Sequence, residues 1–98
     1  MDQCKRYWRW YQEGHLSSNG ECFDIGKTTR KALHTFDRSA QTDPYPGSTA
    51  DIAAGNGSLM RLCPVPLLYH RDPVVAMEMS KDSSRTTHGA KAALDACR

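Results

Sequence analysis

The segment from Gly55 to Pro66, Gly-Asn-Gly-Ser-Leu-Met-Arg-Leu-Cys-Pro-Val-Pro, constrains this chain more than any other. It sets a glycine-rich polar turn directly against an apolar helical stretch, and its two prolines bend or interrupt the helix that follows. Two glycines flanking an asparagine let backbone N–H groups approach a ligand closely, because no Cβ intervenes. A helix begun there, from about Ser58 toward Leu68, would offer unpaired N-terminal donors and a positive dipole end to an anion such as a diphosphate. Turns of this composition also serve simply to redirect the chain, so the motif alone assigns no function.

Helical periodicity recurs on both sides of this turn. Cys4, Tyr7, Trp8 and Tyr11 fall at i, i+3, i+4 and i+7, the stripe of an amphipathic helix that Gly14 can end. Arg6, Arg9 and Gln12 lie off the stripe. A second helix starts near Gly26 with Ile25, Thr29, Ala32, Leu33 and Phe36 on one face, and Asp24 stands at its natural N-cap position. Residues 39–54 read as a long surface loop of the kind that is often functional. Pro73 suits the first turn of a fourth helix, Val74 to about Lys81, with Met77 and Met79 as core filler. Asp82 to Thr87 reads as a polar break. A fifth helix begins near Gly89 with Ala90, Ala93, Leu94 and Cys97 on one face. No segment alternates with the two-residue period of a strand, so the expected class is all-α, about five short helices with long loops.

A chain of 98 residues, 39% of them hydrophobic, has room for one thin core. Thirteen basic against eleven acidic residues give +2, too slight and too mixed a bias to argue for nucleic acid. Cys4, Cys22, Cys63 and Cys97 are scattered without a CxxC pair, which suits reduced, packed thiols better than a zinc site or a disulfide framework. Neither a leader-type apolar segment nor a run of roughly 18 apolar residues is visible, and the expectation is a soluble, cytoplasmic protein without a membrane partner.

Two further segments give the glycine turn its context. Gly20-Glu21-Cys22-Phe23-Asp24-Ile25-Gly26-Lys27-Thr28-Thr29-Arg30-Lys31-Ala32-Leu33 precedes it, and Ser83-Ser84-Arg85-Thr86-Thr87-His88-Gly89-Ala90 follows. In this order the three segments resemble the ADP-ribosylglycohydrolase family. The stretches Tyr7-Trp8-Arg9-Trp10-Tyr11 and Ala93-Leu94-Asp95-Ala96-Cys97-Arg98 are similar to bacterial members, so the likeness covers nearly the whole chain.

The resemblance implies a compact α-helical bundle that holds two divalent cations, usually magnesium or manganese, at the mouth of an ADP-ribose cleft. It implies hydrolysis of the glycosidic bond joining ADP-ribose to a protein side chain or a small molecule. Paired metals suit that task because they orient ribose hydroxyls and activate water. The family's ligands come largely from a Thr-Asp-Asp and an Asp-Thr-Asp element, and neither occurs here. The acidic residues stand singly, with no two adjacent. Residues 1–98 therefore read as one incomplete domain, the central part with both metal-binding ends absent, and no tight magnesium or manganese site is expected.

Carried over residue by residue, Asp24 is the candidate catalytic carboxylate, with plain N-capping as its alternative. Gly26, Gly55, Asn56, Gly57, Ser58 and His88 are the candidate substrate-binding residues for ADP-ribose. Ala53-Ala54 departs from the serine common before the glycine turn, which puts a hydroxyl contact in doubt. His15, His34 and His70 read as surface residues, and Arg61 as a partner of neighbouring helices. Three readings stay open: a hydrolase inactive as this fragment, a non-catalytic ADP-ribose or nucleotide-binding module, and a relic or a segment that works beside a second chain. The resemblance implies that the apolar stripes pack against helices this chain lacks, leaving Leu59, Leu62, Val65, Leu67 and Leu68 partly covered, so a marginal, self-associating fold is expected.

Overall fold

The structure is a computed structural model that describes residues 2–98. It is all-α: α1 Asp2–Glu13, α2 Lys27–Arg38, α3 Gly57–Met60, α4 Pro64–Leu68, α5 Pro73–Arg85 and α6 Lys91–Cys97, with a 3-10 turn at Asp51–Ala53. Among the described residues the extended pairing is one isolated parallel bridge, Ser48 with His88.

The first helix ends as its glycine requires. Gly14 takes φ +69° and its N–H bonds to the Trp10 carbonyl at 2.9 Å. A Cβ at Gly14 would run into the backbone of Gly20, so the turn after α1 folds directly over it. The aromatic stripe joins α1 to α2. Trp8 and Tyr11 pack edge-to-face on each other and on His34, and the Tyr11 hydroxyl lies 3.2 Å from His34 Nε2. His34 is exposed, as a surface residue should be, yet it helps hold the two helices together.

The apolar core is small. Cys4 contributes from α1, Ala32, Leu33 and Phe36 from α2, and Ala90, Ala93 and Cys97 from the end of the chain. Much of the rest of the interior is polar: Ser58, Ser80, Ser83, Ser84, Thr86, Thr87 and His88 are all buried. Among the described residues no buried side-chain nitrogen or oxygen lacks a hydrogen-bond partner, the condition under which such an interior is tolerated.

Four expectations change here. The single helix after the glycine turn is two: α3 is one turn, and Pro64 opens α4 as its first residue. The polar break from Asp82 belongs instead to α5, which continues through Arg85 and turns Ser80, Ser83 and Ser84 inward. Two of their hydroxyls find partners outside the helix, Ser83 Oγ on Gln3 Oε1 at 3.2 Å and Ser84 Oγ on Ser58 Oγ and His88 O at 2.8 Å, so a polar run can be interior. Asp24 does not cap α2. Gly26 occupies the N-cap position without a side-chain bond, and Asp24 lies two residues earlier at φ +54°. Met77 is 40% exposed on α5 rather than core filler, and Met79 is half-buried.

The long loop is tied down at its middle. Cys4 Sγ donates to the Pro44 carbonyl at 3.4 Å, and the Arg85 guanidinium sits 3.8 Å from the centre of the Tyr45 ring. The Gly47 N–H donates to Arg85 O at 3.1 Å and the Gly89 N–H to Ser48 O at 3.0 Å. A side chain at Gly47 would meet Arg85 O at 2.6 Å and His88 N at 2.7 Å. Glycine is needed there because two backbones touch.

Candidate functional site

A cavity of about 710 Å³ opens between α1, the start of α2 and the glycine turn. Its size is that of a small-molecule site. The structure brings Asp24, Gly26, Gly55, Asn56, Gly57 and His88 to this one cavity, from three separate stretches of chain. Ser58 is placed elsewhere. Its side chain is buried beneath the turn, 2.8 Å from Ser84 Oγ and 3.6 Å from Cys97 Sγ, in a polar knot that fixes the turn from below.

The helix end that serves the cavity is that of α2. Gly26, Lys27, Thr28 and Thr29 line the cavity, and the first intrahelical bond after the cap runs from Arg30 N to Gly26 O at 3.0 Å. The N–H groups of the first turn therefore have no acceptor within their own helix, and twelve residues of aligned dipoles stand behind them. The four residues of α3 add little dipole of their own. The helix N-terminus expected on the cavity after Gly57 is thus matched by the longer one after Gly26, and Lys27 also lines the cavity.

His88 is buried against the glycine turn. Its Nδ1 lies 2.7 Å from Thr87 Oγ1, its N–H donates to Ser84 O at 2.6 Å, and its carbonyl accepts from Ser84 Oγ at 2.8 Å. A Cβ on Gly57 would fall 2.9 Å from His88 Cε1 and 3.2 Å from Nε2, and one on Gly55 would fall 3.5 Å from Nε2. The missing side chains are what let the imidazole edge reach this wall. Burial, and after it the Arg61 cation, hold the His88 pKa below the ordinary imidazole value, so the ring is neutral near pH 7. With Nδ1 engaged by Thr87, Nε2 is the nitrogen left to act as the second donor or acceptor.

Asp24 is exposed on the cavity wall, in a left-handed conformation that Asp adopts more readily than most residues. Arg61 behaves as an intramolecular partner: Nε donates to the Tyr7 hydroxyl at 3.1 Å, and Nη2 to Ser83 O at 3.1 Å and Thr86 Oγ1 at 3.0 Å. Ala53 lies in the 3-10 turn and its carbonyl accepts from Gly55 N at 2.9 Å, so the backbone shapes the turn.

Sequence reasoning missed part of the wall. Arg6, Trp10, His15 and Leu16 line the cavity. Arg6 and Trp10 are spaced i, i+4 beside the aromatic stripe, a signal of a second face on α1 that was available. Nothing in the sequence distinguishes His15.

Among the described residues no three His, Cys, Asp or Glu side chains gather where they could hold a metal ion. Divalent magnesium or manganese takes oxygen ligands, and the one carboxylate on this cavity is Asp24. The residues present do not fit such a pair of cations. Among the described residues no helix is long and apolar enough to cross a membrane.

The chain is similar to ADP-ribosylarginine hydrolase Tri1 of Pseudomonas putida (strain GB-1), at 37% identity over 90 residues. It is 34% identical over 90 residues to the protein of the same name from Serratia proteamaculans (strain 568). Each comparison covers 92% of this chain but 24% of the relative, so the chain spans about a quarter of their length. The family model for ADP-ribosylglycohydrolase matches residues 2–98. By that match, which takes in the glycine turn, the Asp24 loop and the Thr87-His88 pair together, the chain belongs to the ADP-ribosylglycohydrolase family.

Proposed function

We propose that this chain forms the ADP-ribose-facing part of a hydrolase domain that releases ADP-ribose from a modified side chain, arginine being the first substrate to test given the relatives' activity. The observation that supports the reading is the single cavity shared by Asp24, Gly26, Gly55, Asn56, Gly57 and His88. The α2 N-terminus, Lys27 and the glycine-turn backbone receive the diphosphate, where aligned N–H groups and a positive end favour an anion. His88, neutral and with Nε2 available, bonds a hydroxyl of the ligand. Where the missing ligands are supplied, Asp24 sits beside the reacting ribose, takes a proton from water as it attacks the anomeric carbon, and returns that proton to the leaving nitrogen or oxygen as the glycosidic bond breaks.

In the family domain magnesium or manganese would orient the ribose and activate that water, but these residues supply no ligand set, and no step above passes through a metal. We therefore propose that residues 1–98 act as one incomplete domain, cytoplasmic in location, that binds ADP-ribose without turnover unless another segment or a second chain provides the ligands. The alternative, a binding module with no catalytic role in any context, is favoured by the same lone carboxylate.

Calorimetry with ADP-ribose, and release of ADP-ribose from ADP-ribosyl-arginine in millimolar magnesium or manganese, test the reading. Saturable binding that weakens in Asp24→Ala or His88→Ala, with no release, is the expected result. Turnover of roughly 1 per second or more would contradict the incomplete-domain assignment. Absence of binding would overturn the site.

A further inference from the structure

Arg61 stands where two cavities share a wall. With Tyr7 it lines both the large cavity and a second one of about 500 Å³ bounded by Pro44, Tyr45, Val65 and Leu68. Among the described residues none of the ion pairs involves it. Its hydrogen bonds go instead to neutral oxygens on two elements: the Tyr7 hydroxyl of α1, and Ser83 O and Thr86 Oγ1 at the end of α5. The guanidinium carbon also lies 5.0 Å from the centre of the Tyr7 ring. A cation on the last carbonyls of a helix is favoured by their unpaired lone pairs and by the negative dipole end.

The residues it grips lead straight into Thr87 and His88. We propose that Arg61 is the positioning residue of His88, clamping the C-terminal turn of α5 to α1 so that the imidazole edge is held against the glycine turn. Its meaning for ligand binding rests on the reading of His88 as an ADP-ribose contact; the clamp itself does not. A flat fork that bonds and stacks at once is arginine chemistry, which lysine's single ammonium cannot reproduce.

Arg61 also bears on the charge of the ring, since a cation nearby opposes imidazolium formation, adding to burial. The other charged or titratable groups around His88 are accounted for. Arg6, Tyr7, His15, Asp24 and Lys27 share its cavity, Arg85 pairs with Asp82 on α5, and Lys91 pairs with Asp95 on α6.

The test follows the His88 Cε1–Hε1 resonance by NMR through a pH titration, and ADP-ribose affinity by calorimetry, in the chain and in Arg61→Met and Arg61→Lys. Arg61→Met should raise the His88 midpoint and weaken ADP-ribose by at least roughly tenfold, the scale of losing hydrogen bonds to a charged group. Arg61→Lys keeps the charge but loses the fork, so the midpoint rises less than in Arg61→Met while the resonance shifts and affinity still falls. A folded Arg61→Met with an unchanged midpoint, or an Arg61→Lys with parental resonance and affinity, overturns the proposal. Should Arg61→Met unfold, Arg61→Lys decides by its resonance. If the parent binds no ADP-ribose, an Arg61-dependent His88 signal still supports the clamp while the functional reading falls.

Discussion

Gly57 and His88 are neighbours with no room for a methyl group between them. The Cβ of an alanine at position 57 would stand 2.9 Å from His88 Cε1, closer than carbon atoms pack, and His88 is held from behind by Thr87 and Ser84. Either the turn or the ring must give way.

Gly57→Ala should therefore destabilise the chain by about 1–3 kcal/mol, the usual cost of overpacking. It should also weaken ADP-ribose binding. Gly55→Ala, whose Cβ would meet the ring at an ordinary 3.5 Å, should cost less than 1 kcal/mol. Urea unfolding of the two variants checks the order, and equal losses would show that His88 does not set the limit.

The pH dependence follows from the lowered His88 pKa. The unfolded chain takes up a proton near the ordinary value of about 6.5, while the folded chain resists it because the ring is buried. Below that value the unfolded state binds more protons, so stability is full above it and falls as pH drops toward the folded pKa. The unfolding midpoint should decline across this interval, and the decline should be smaller in His88→Gln. An identical profile in the variant would remove His88 as its source.

Asp24 separates conformation from chemistry. Its φ of +54° is tolerated by Asp and Asn but costs alanine about 1–2 kcal/mol. Asp24→Asn should leave stability within about 0.5 kcal/mol, while Asp24→Ala should lose about 1 kcal/mol. If the carboxylate serves the ligand, both variants should weaken binding. Equal stability of the two variants would show that the left-handed turn carries no strain.

Apolar exposure sets the state of association. Ile52, Met60, Leu67, Leu68 and Val74 are each between 65% and 99% exposed, and burying one such side chain is worth roughly 1.5–3 kcal/mol. The isolated chain should self-associate and bind a hydrophobic dye, with helical far-UV dichroism but a weak near-UV signal from the half-buried Trp8 and Trp10. Sedimentation that gives a monomer with a sharp thermal transition would contradict this.

What was legible in the sequence follows from periodicity. The stripe Ala32, Leu33, Phe36 foretold α2 and its buried face, and Gly14 marked the end of α1, because both depend on neighbours in sequence. The inward serines of α5 were misread because hydropathy scores a hydroxyl as exposed, whereas Ser84 finds its partners in Ser58 and His88. The cap of α2 was misplaced because Asp24 has the right chemistry at the wrong distance. His15 reaches the cavity from the turn after α1, a tertiary fact that no local pattern encodes.

The contact of Gly47 and Ser48 with Arg85 and Gly89 joins positions about forty residues apart, and loop closure of that length is an entropic cost met only when the whole chain is arranged. The imidazole sits at that seam. Hydrogen exchange at the Gly47 and Gly89 amides would thus report directly on opening of the cavity: if they exchange faster than the amides of α2, the site breathes by release of its loop while the helices remain folded.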